Sequence, residues 1–212
     1  MGTVQPLPTV VAQRAPSSAT RVALKRVMLA AAWFLVSPLV LSVRLEELLL
    51  GREAERIFDG SKELLAPAPG LVGQYLRTAF YSSVCRSVSI DARFGLGSVV
   101  STRDVAIGAG SVVGNQSIIG RSSIGRDVMI ASRVSIISDR YLHGHPSDRI
   151  RGVSSSGETP PPSIGDGCWL GENSVVMADL GPRCTVAAGA VVARAAEAGT
   201  TLMGNPARKV NL

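Results

Sequence analysis

The chain contains two histidines, His143 and His145, and a single residue separates them. Imidazole has an ordinary pKa close to neutral, so it can take the proton of a hydroxyl that attacks a carbonyl carbon. Three carboxylates near them in sequence, on Asp139, Asp148 and Glu158, could orient such a ring, and the sequence does not choose among them. No side chain reads as a covalent carrier: Gly-x-Ser-x-Gly is absent, and no Ser or Cys near the histidines has a nucleophile-elbow context. Direct transfer to a deprotonated hydroxyl is the simpler chemistry, with a backbone N–H holding the oxyanion. A zinc site of three histidines is short of one ligand, and the cysteines form no CxxC pair or Cys/His cluster.

The elements that must position these histidines are repeats. From Ile107 the chain reads in sixes: Ile107-Gly-Ala-Gly-Ser-Val, Val113-Gly-Asn-Gln-Ser-Ile, Ile124-Gly-Arg-Asp-Val-Met and Ile130-Ala-Ser-Arg-Val-Ser. The step from Ile119 to Ile124 is five, so the register slips once. Sixes resume at Ile164-Gly-Asp-Gly-Cys-Trp and Leu170-Gly-Glu-Asn-Ser-Val, then at Leu180, Val186 and Val192. This period matches neither a helix nor an alternating strand. It suits a solenoid in which each unit is one short strand and one tight turn, three units closing a triangular coil of about eighteen residues. The aliphatic opener faces inward, Gly is expected to supply freedom at the turn, and a small or β-branched residue fits the corner. A Val-rich sandwich would space its strands less evenly, at about eight to twelve residues. Residues 139–163, which carry both histidines, break the pattern and are expected to leave the solenoid as a loop at one corner.

The repeats resemble the hexapeptide-repeat acyltransferases over roughly residues 84–210. The most specific likenesses are Ile164-Gly-Asp-Gly-Cys-Trp-Leu-Gly, the Ala188-Gly-Ala-Val-Val run and Gly204-Asn-Pro-Ala-Arg. The resemblance is nearest to the sugar and polysaccharide O-acetyltransferases. It implies a mainly β fold, a left-handed parallel β-helix, assembled as a homotrimer with acetyl-CoA as acyl donor and no metal. It implies a loop histidine as general base. His143 has the better spacing from the last repeat, and His143-Gly144 resembles the polysaccharide branch, whereas His145-Pro-Ser-Asp148 resembles maltose-type enzymes; His143 is favoured and His145 stays open. For the donor it points to Trp169, Gly171, Ala188, Gly189, Ala190, Arg194, Asn205, Pro206 and Arg208, where small residues admit a thin pantetheine arm and Arg194, Arg208 and Lys209 could face phosphates.

The expected activity is therefore O-acetylation of a sugar hydroxyl on a membrane-proximal or lipid-linked glycan. Alternatives are acetylation of an antibiotic or amino acid, N-acetylation of an amino sugar, or a non-catalytic trimeric scaffold. A γ-class carbonic anhydrase shares the fold but needs the third histidine.

The bulk numbers fit this reading. At 212 residues there is room for one domain and an appendage, and aromatics are 4%. The formal charge of +6 is spread out, with no basic run interleaved with aromatics, so no nucleic-acid partner is expected. Cys85, Cys168 and Cys184 are odd in number and scattered, as reduced structural thiols of a cytosolic protein. Residues 1–20 are read as disordered, 21–82 as a helical membrane-associating segment and 83–212 as the β-helix domain. In that segment Lys25 and Arg26 precede an apolar run, Val27 to Val43, closed by Arg44. The run lacks a cleavage site and is short for a spanning helix. Ser37-Pro38 would let it enter the bilayer and return, placing the protein on the cytoplasmic face of the membrane. A spanning helix, or a packing helix on a cytoplasmic protein, is the alternative. Leu45 to Leu65 is expected as an amphipathic helix, and Gly73 to Tyr81 as a short helix over the open end of the solenoid.

Overall fold

The computed structural model describes residues 19–138 and 161–211, with side chains from residue 23. Three helices precede sixteen short strands: α1 (Ala19–Leu50), α2 (Arg56–Leu65) and α3 (Gly70–Val84). The first coil holds β1 (Ser87–Val88), β2 (Arg93–Phe94) and β3 (Val99–Val100), and the second β4 (Val105–Ile107), β5 (Val112–Val113) and β6 (Ile118–Ile119). The third holds β7 (Ser122–Ile124), β8 (Met129–Ile130) and β9 (Ser135–Ile136), and the fourth β10 (Ser163–Ile164), β11 (Trp169–Leu170) and β12 (Val175–Val176). β13 (Thr185–Val186) and β14 (Val191–Val192) belong to the fifth coil, whose first side is reduced to a bridge at Leu180. β15 (Thr201–Met203) starts from a bridge at Ala196, and β16 (Arg208–Val210) folds back on β15 antiparallel. Every other pairing among the described residues is parallel, and their strands stack into three sheets along a prism of about six coils.

The turns are not uniform. Ser87 aligns with Ala106, Ala106 with Ser123 and Ser123 with Ser163, steps of 19, 17 and 40 residues. Trp169 aligns with Thr185 and Thr185 with Thr201, steps of 16. The sides thus vary in length while the inward positions stay in column. Phe94, Val113, Ile130, Leu170, Val186 and Leu202 form one buried column, and Val100, Ile119, Ile136, Val176 and Val192 another. This continuous aliphatic core is the main favourable term in holding the coils together.

The glycine expectation needs a correction. The Gly after each opener does not have a positive φ; it is needed because the next coil passes so close. A Cβ on Gly114 would lie 2.4 Å from the Ala131 carbonyl carbon. The left-handed residue comes two places later, and it is often not glycine: Gln116 at φ 56°, Asp127 at 52°, Arg133 at 58°, Asn173 at 57° and Arg183 at 59°. The residue after that turns inward and is small. Ser111 and Ser117 are buried there and staple neighbouring coils: Ser111 Oγ donates to the Gly125 carbonyl (2.8 Å) and accepts from Val128 N–H (3.0 Å). Cys168 and Cys184 fill the same position, their thiols donating to the Gly181 and Glu197 carbonyls. Burial pushes the Cys168 thiol up to about 11 and the Cys85 thiol higher still.

The helical segment departs from expectation in two places. α1 runs unbroken through Pro38, so the chain does not turn back at Ser37-Pro38. Proline frees the carbonyl four residues earlier, that of Phe34, and the Ser37 hydroxyl donates to it at 2.8 Å. The second departure is that α1 continues to Leu50, so Leu45–Leu65 is two helices, broken at Gly51 (φ 85°). Glu46 of α1 caps α2 by accepting the Ile57 N–H at 3.0 Å, a role the N-cap Glu55 leaves open.

α1 packs on α3 through the stripe Leu29, Ala32, Val36 and Val43, spaced as one helix face. α3 in turn covers the open end of the solenoid, as expected, though it is longer than Gly73–Tyr81. Phe58, Phe80, Tyr81 and Phe94 stack across this junction, with Tyr81 and Phe94 ring centroids 4.9 Å apart. At its centre Arg77 is 1% exposed and, among the described residues, pairs with no carboxylate. Its guanidinium donates to the carbonyls of Leu65, Ala66 and Ala68 at the end of α2, and to the Phe94 carbonyl of the first coil. One buried cation thereby complements a helix C-terminus and closes the sheet edge.

Candidate active site

Both histidines, and with them Asp139, Asp148 and Glu158, lie outside the described residues. What the structure fixes is where that stretch is attached. The chain leaves after β9 at Ser138 and is described again from residue 161, just before β10, so both attachments are at the corner between the third sheet and the first. The same corner in the second coil is Gly120-Arg121, the site of the five-residue step. A Cβ on Gly120 would sit 2.7 Å from the Ile136 carbonyl oxygen and 3.2 Å from Ser138 N, so these corners are stacked in contact. On the returning side, Ser123 N–H donates to the Pro162 carbonyl at 3.1 Å.

A cavity of about 380 Å³ lies along this column of corners, against the turn that joins α1 to α2. Arg52, Glu53 and Glu55 come from the turn, Thr102, Arg103 and Asp104 from the first corner, and Arg86 and Arg121 complete the wall. The arrangement is anchored by Arg103, whose side chain is 7% exposed. Its guanidinium pairs with Glu47 at 3.3 Å and Glu55 at 3.5 Å, and donates to the carbonyls of Arg52 and Ala54. Glu55 accepts from the Thr102 hydroxyl at 3.1 Å and Arg103 N–H at 2.9 Å. Hydrogen bonds from Arg44 hold the Glu47 carboxyl below its ordinary pKa. Arg86 pairs with Asp104 at 3.2 Å and donates to Ser123 Oγ at 2.9 Å. The cavity wall is therefore two hydrogen bonds from Pro162, where the histidine-bearing stretch returns.

The residues expected to hold the donor separate into groups. Trp169 is exposed on the second sheet, in line with Thr185 and Thr201. Gly171, Ala188 and Gly189 follow at the next corner in successive coils. A Cβ on Gly171 would lie 2.5 Å from Ala188 N, so coil stacking already requires this glycine. At Gly189 (φ 69°) the space beyond the Cα is open. Asn205 and Pro206, joined by a cis peptide, cross above β14: Ala207 N–H donates to the Val191 carbonyl at 2.8 Å. Arg208 lies in β16 at the edge of the second sheet, opposite Met203. These residues share one flank of the last coils. Ala190 and Arg194 do not join them as side chains. Ala190 is fully buried in the prism, and Arg194 is exposed past β14, at the corner where the third sheet meets the first.

Sequence reading missed the arginine-lined cavity. The signals present were the slip at Gly120-Arg121 and the charged pair Arg103-Asp104 between two repeats. Among the described residues no three His, Cys, Asp or Glu side chains gather as a metal-binding group.

Comparison with known proteins agrees with this architecture. Residues 161–194 match the family model described as the hexapeptide repeat of succinyl-transferase. A maltose O-acetyltransferase from Clostridium difficile 630 superposes with a TM-score of 0.61 at 18% identity, covering 74% of this chain and 84% of its own. A hexapeptide-repeat acetyltransferase from Vibrio cholerae O1 biovar eltor, solved with acetyl coenzyme A, superposes with a TM-score of 0.61 at 20% identity, covering 78% of this chain and 90% of its own. These likenesses establish a shared fold.

Proposed function

For this hexapeptide-repeat protein we propose acetyl-CoA-dependent O-acetylation of a sugar hydroxyl, on a glycan held at the cytoplasmic face of a membrane. The observation that carries the reading is a parallel solenoid interrupted by a long insertion whose sequence holds both histidines of the chain. The two superposed enzymes are acetyltransferases, and one was solved with acetyl coenzyme A, which supports the choice of donor.

In the proposed reaction His143 takes the proton of the acceptor hydroxyl, with His145 as the alternative base. The alkoxide oxygen attacks the thioester carbonyl, and the carbon–sulfur bond breaks as the tetrahedral intermediate collapses. The imidazolium then returns its proton to the leaving thiolate, so ester and free coenzyme A are the products. The donor would lie along the flank formed by Trp169, Gly171, Ala188, Gly189, Asn205, Pro206 and Arg208. The exposed position of Arg194 suits a phosphate contact from a neighbouring subunit, and the proposed assembly is a homotrimer.

Membrane attachment is proposed for α1. Residues 23–50 are long and apolar enough to cross a membrane by length and composition. Apart from the stripe on α3, Trp33, Phe34, Leu35 and Leu41 are exposed, and Lys25, Arg26 and Arg44 bracket them. The test is to incubate detergent-solubilised full-length protein with acetyl-CoA and candidate glycans, following free thiol release. Thiol release that depends on a glycan, with a base-labile ester formed, is expected. Transfer to amines alone would favour N-acetylation, and no release with any acceptor would leave a scaffold.

A further inference from the structure

We propose that the cavity between the α1–α2 turn and the first two corners takes the head group of the acceptor, an anionic group joined to an apolar tail. The word acceptor rests on the transfer reading above; the binding of an anionic amphiphile does not.

Arg52, Arg86, Arg103 and Arg121 line the wall beside the carboxylates of Glu53, Glu55 and Asp104, and Glu47 lies behind Arg103 and Arg52. The carboxylates of Glu55 and Asp104 are already engaged, by Thr102 and Arg103 and by Arg86 respectively. A guanidinium carries five N–H donors, and among the described residues Arg86 uses two of its nitrogens, on Asp104 and Ser123. Arg52 is 76% exposed and reaches Glu47 only at 3.5 Å. Such a wall suits a ligand that only accepts, a phosphate or a carboxylate. The buried Arg103, 7% exposed, fixes the turn's carbonyls and keeps the wall in shape.

The apolar tail follows from what precedes the turn. Leu48, Leu49 and Leu50, 81%, 70% and 70% exposed, lead directly into Gly51-Arg52. The same helix carries the exposed face assigned to the membrane. A ligand whose head is in the cavity can therefore keep its tail in the apolar layer that covers α1. The hydrogen bonds from Arg86 to Ser123 and from Ser123 to Pro162 put this head group beside the attachment of the histidine-bearing stretch.

The test is calorimetric titration of decyl phosphate, and in parallel decanoate, into full-length protein in uncharged dodecyl maltoside micelles, without acetyl-CoA. Saturable binding of at least one of the two is expected, weakening with added salt, and the tighter one identifies the anion. Arg52→Gln and Arg86→Gln should each weaken it about tenfold, the loss of one charge-assisted contact. Arg133→Gln, a surface residue paired with Glu172 at another corner, should not change it. Arg52 is exposed enough that its variant folds, and a thermal melt checks Arg86→Gln. Absence of saturable binding, equal loss with Arg133→Gln, or equal affinity for inorganic phosphate without a tail would overturn the proposal. Binding that persists in a protein inactive with acetyl-CoA would sink the transfer reading and leave this site standing.

Discussion

Arg77→Met tests how the helical segment is joined to the solenoid. The substitution replaces a fully buried cation by an apolar chain of similar length. Its cost follows from the carbonyls left behind. Leu65 and Ala66 keep other donors, from Ala68 N–H at 3.3 Å and Gly97 N–H at 2.8 Å. The Phe94 carbonyl loses its Arg77 bond at 3.2 Å inside the buried junction, while the half-buried Ala68 carbonyl loses one at 2.8 Å where water can replace it. A buried acceptor without a partner costs about 1–3 kcal/mol, and the half-buried one adds less. Methionine recovers part of this by packing against Phe80 and Tyr81, and relief of the buried charge offsets more. A net loss of about 2 kcal/mol is expected, or roughly 4–8 °C in melting temperature for a chain of this size. Circular dichroism melts of full-length wild type and variant in the same detergent measure it. A shift below about 2 °C would mean that the guanidinium is no clamp and that the aromatic stack alone joins α3 to the first coil.

Other predictions use single features. Gly171→Ala should destabilise the fold by about 1–3 kcal/mol, because its Cβ would press on the Ala188 amide; an unchanged denaturation midpoint would show that the coils can separate there. Cys85, Cys168 and Cys184 are buried and burial raises the Cys85 and Cys168 thiols, so at pH 8 a thiol reagent should label them only on unfolding. One thiol reacting at the free-cysteine rate in native protein would refute this. Replacing exposed Phe34, Leu35 and Leu41 together by Gln spares the stripe that packs on α3. It should move the protein from the membrane to the soluble fraction in a sedimentation assay, and unchanged partitioning would count against attachment through α1.

The solenoid was legible because its inward positions recur on a fixed spacing, and Ile107, Val113, Ile124, Ile130, Ile164 and Leu170 all proved buried. The break after Ser138 was legible for the same reason: periodicity stops there. The function of the glycines was not, since φ and the approach of the next coil are both three-dimensional quantities, and Gln116 or Asp127 reveals neither. Pro38 suggested a reversal because its partner, the Ser37 hydroxyl, rescues the carbonyl only once a helix is already formed. Arg77 between Leu76 and Thr78 has the sequence of a solvated surface residue; the four carbonyls that hold it come from two separate places in the chain, the end of α2 and Phe94. The cavity escaped for a similar reason, being assembled from Arg52, Arg86, Arg103 and Arg121 across about seventy residues. Arg194 was grouped with Asn205 and Arg208 by motif, yet it falls past β14, at a different corner from theirs.

The central claim is that a histidine in the insertion is the base for acetyl transfer. Turnover of acetyl-CoA should be measured for wild type, His143→Ala, His145→Ala and the double variant, once an acceptor supports activity. His143→Ala is expected to lower kcat by about two to four orders of magnitude, the usual contribution of a general base, with donor affinity nearly unchanged. His145→Ala is expected to cost about tenfold or less, well below that contribution. The reverse ranking would assign the base to His145. Near-normal turnover in the double variant would contradict histidine catalysis and leave only the fold in common with the acetyltransferases.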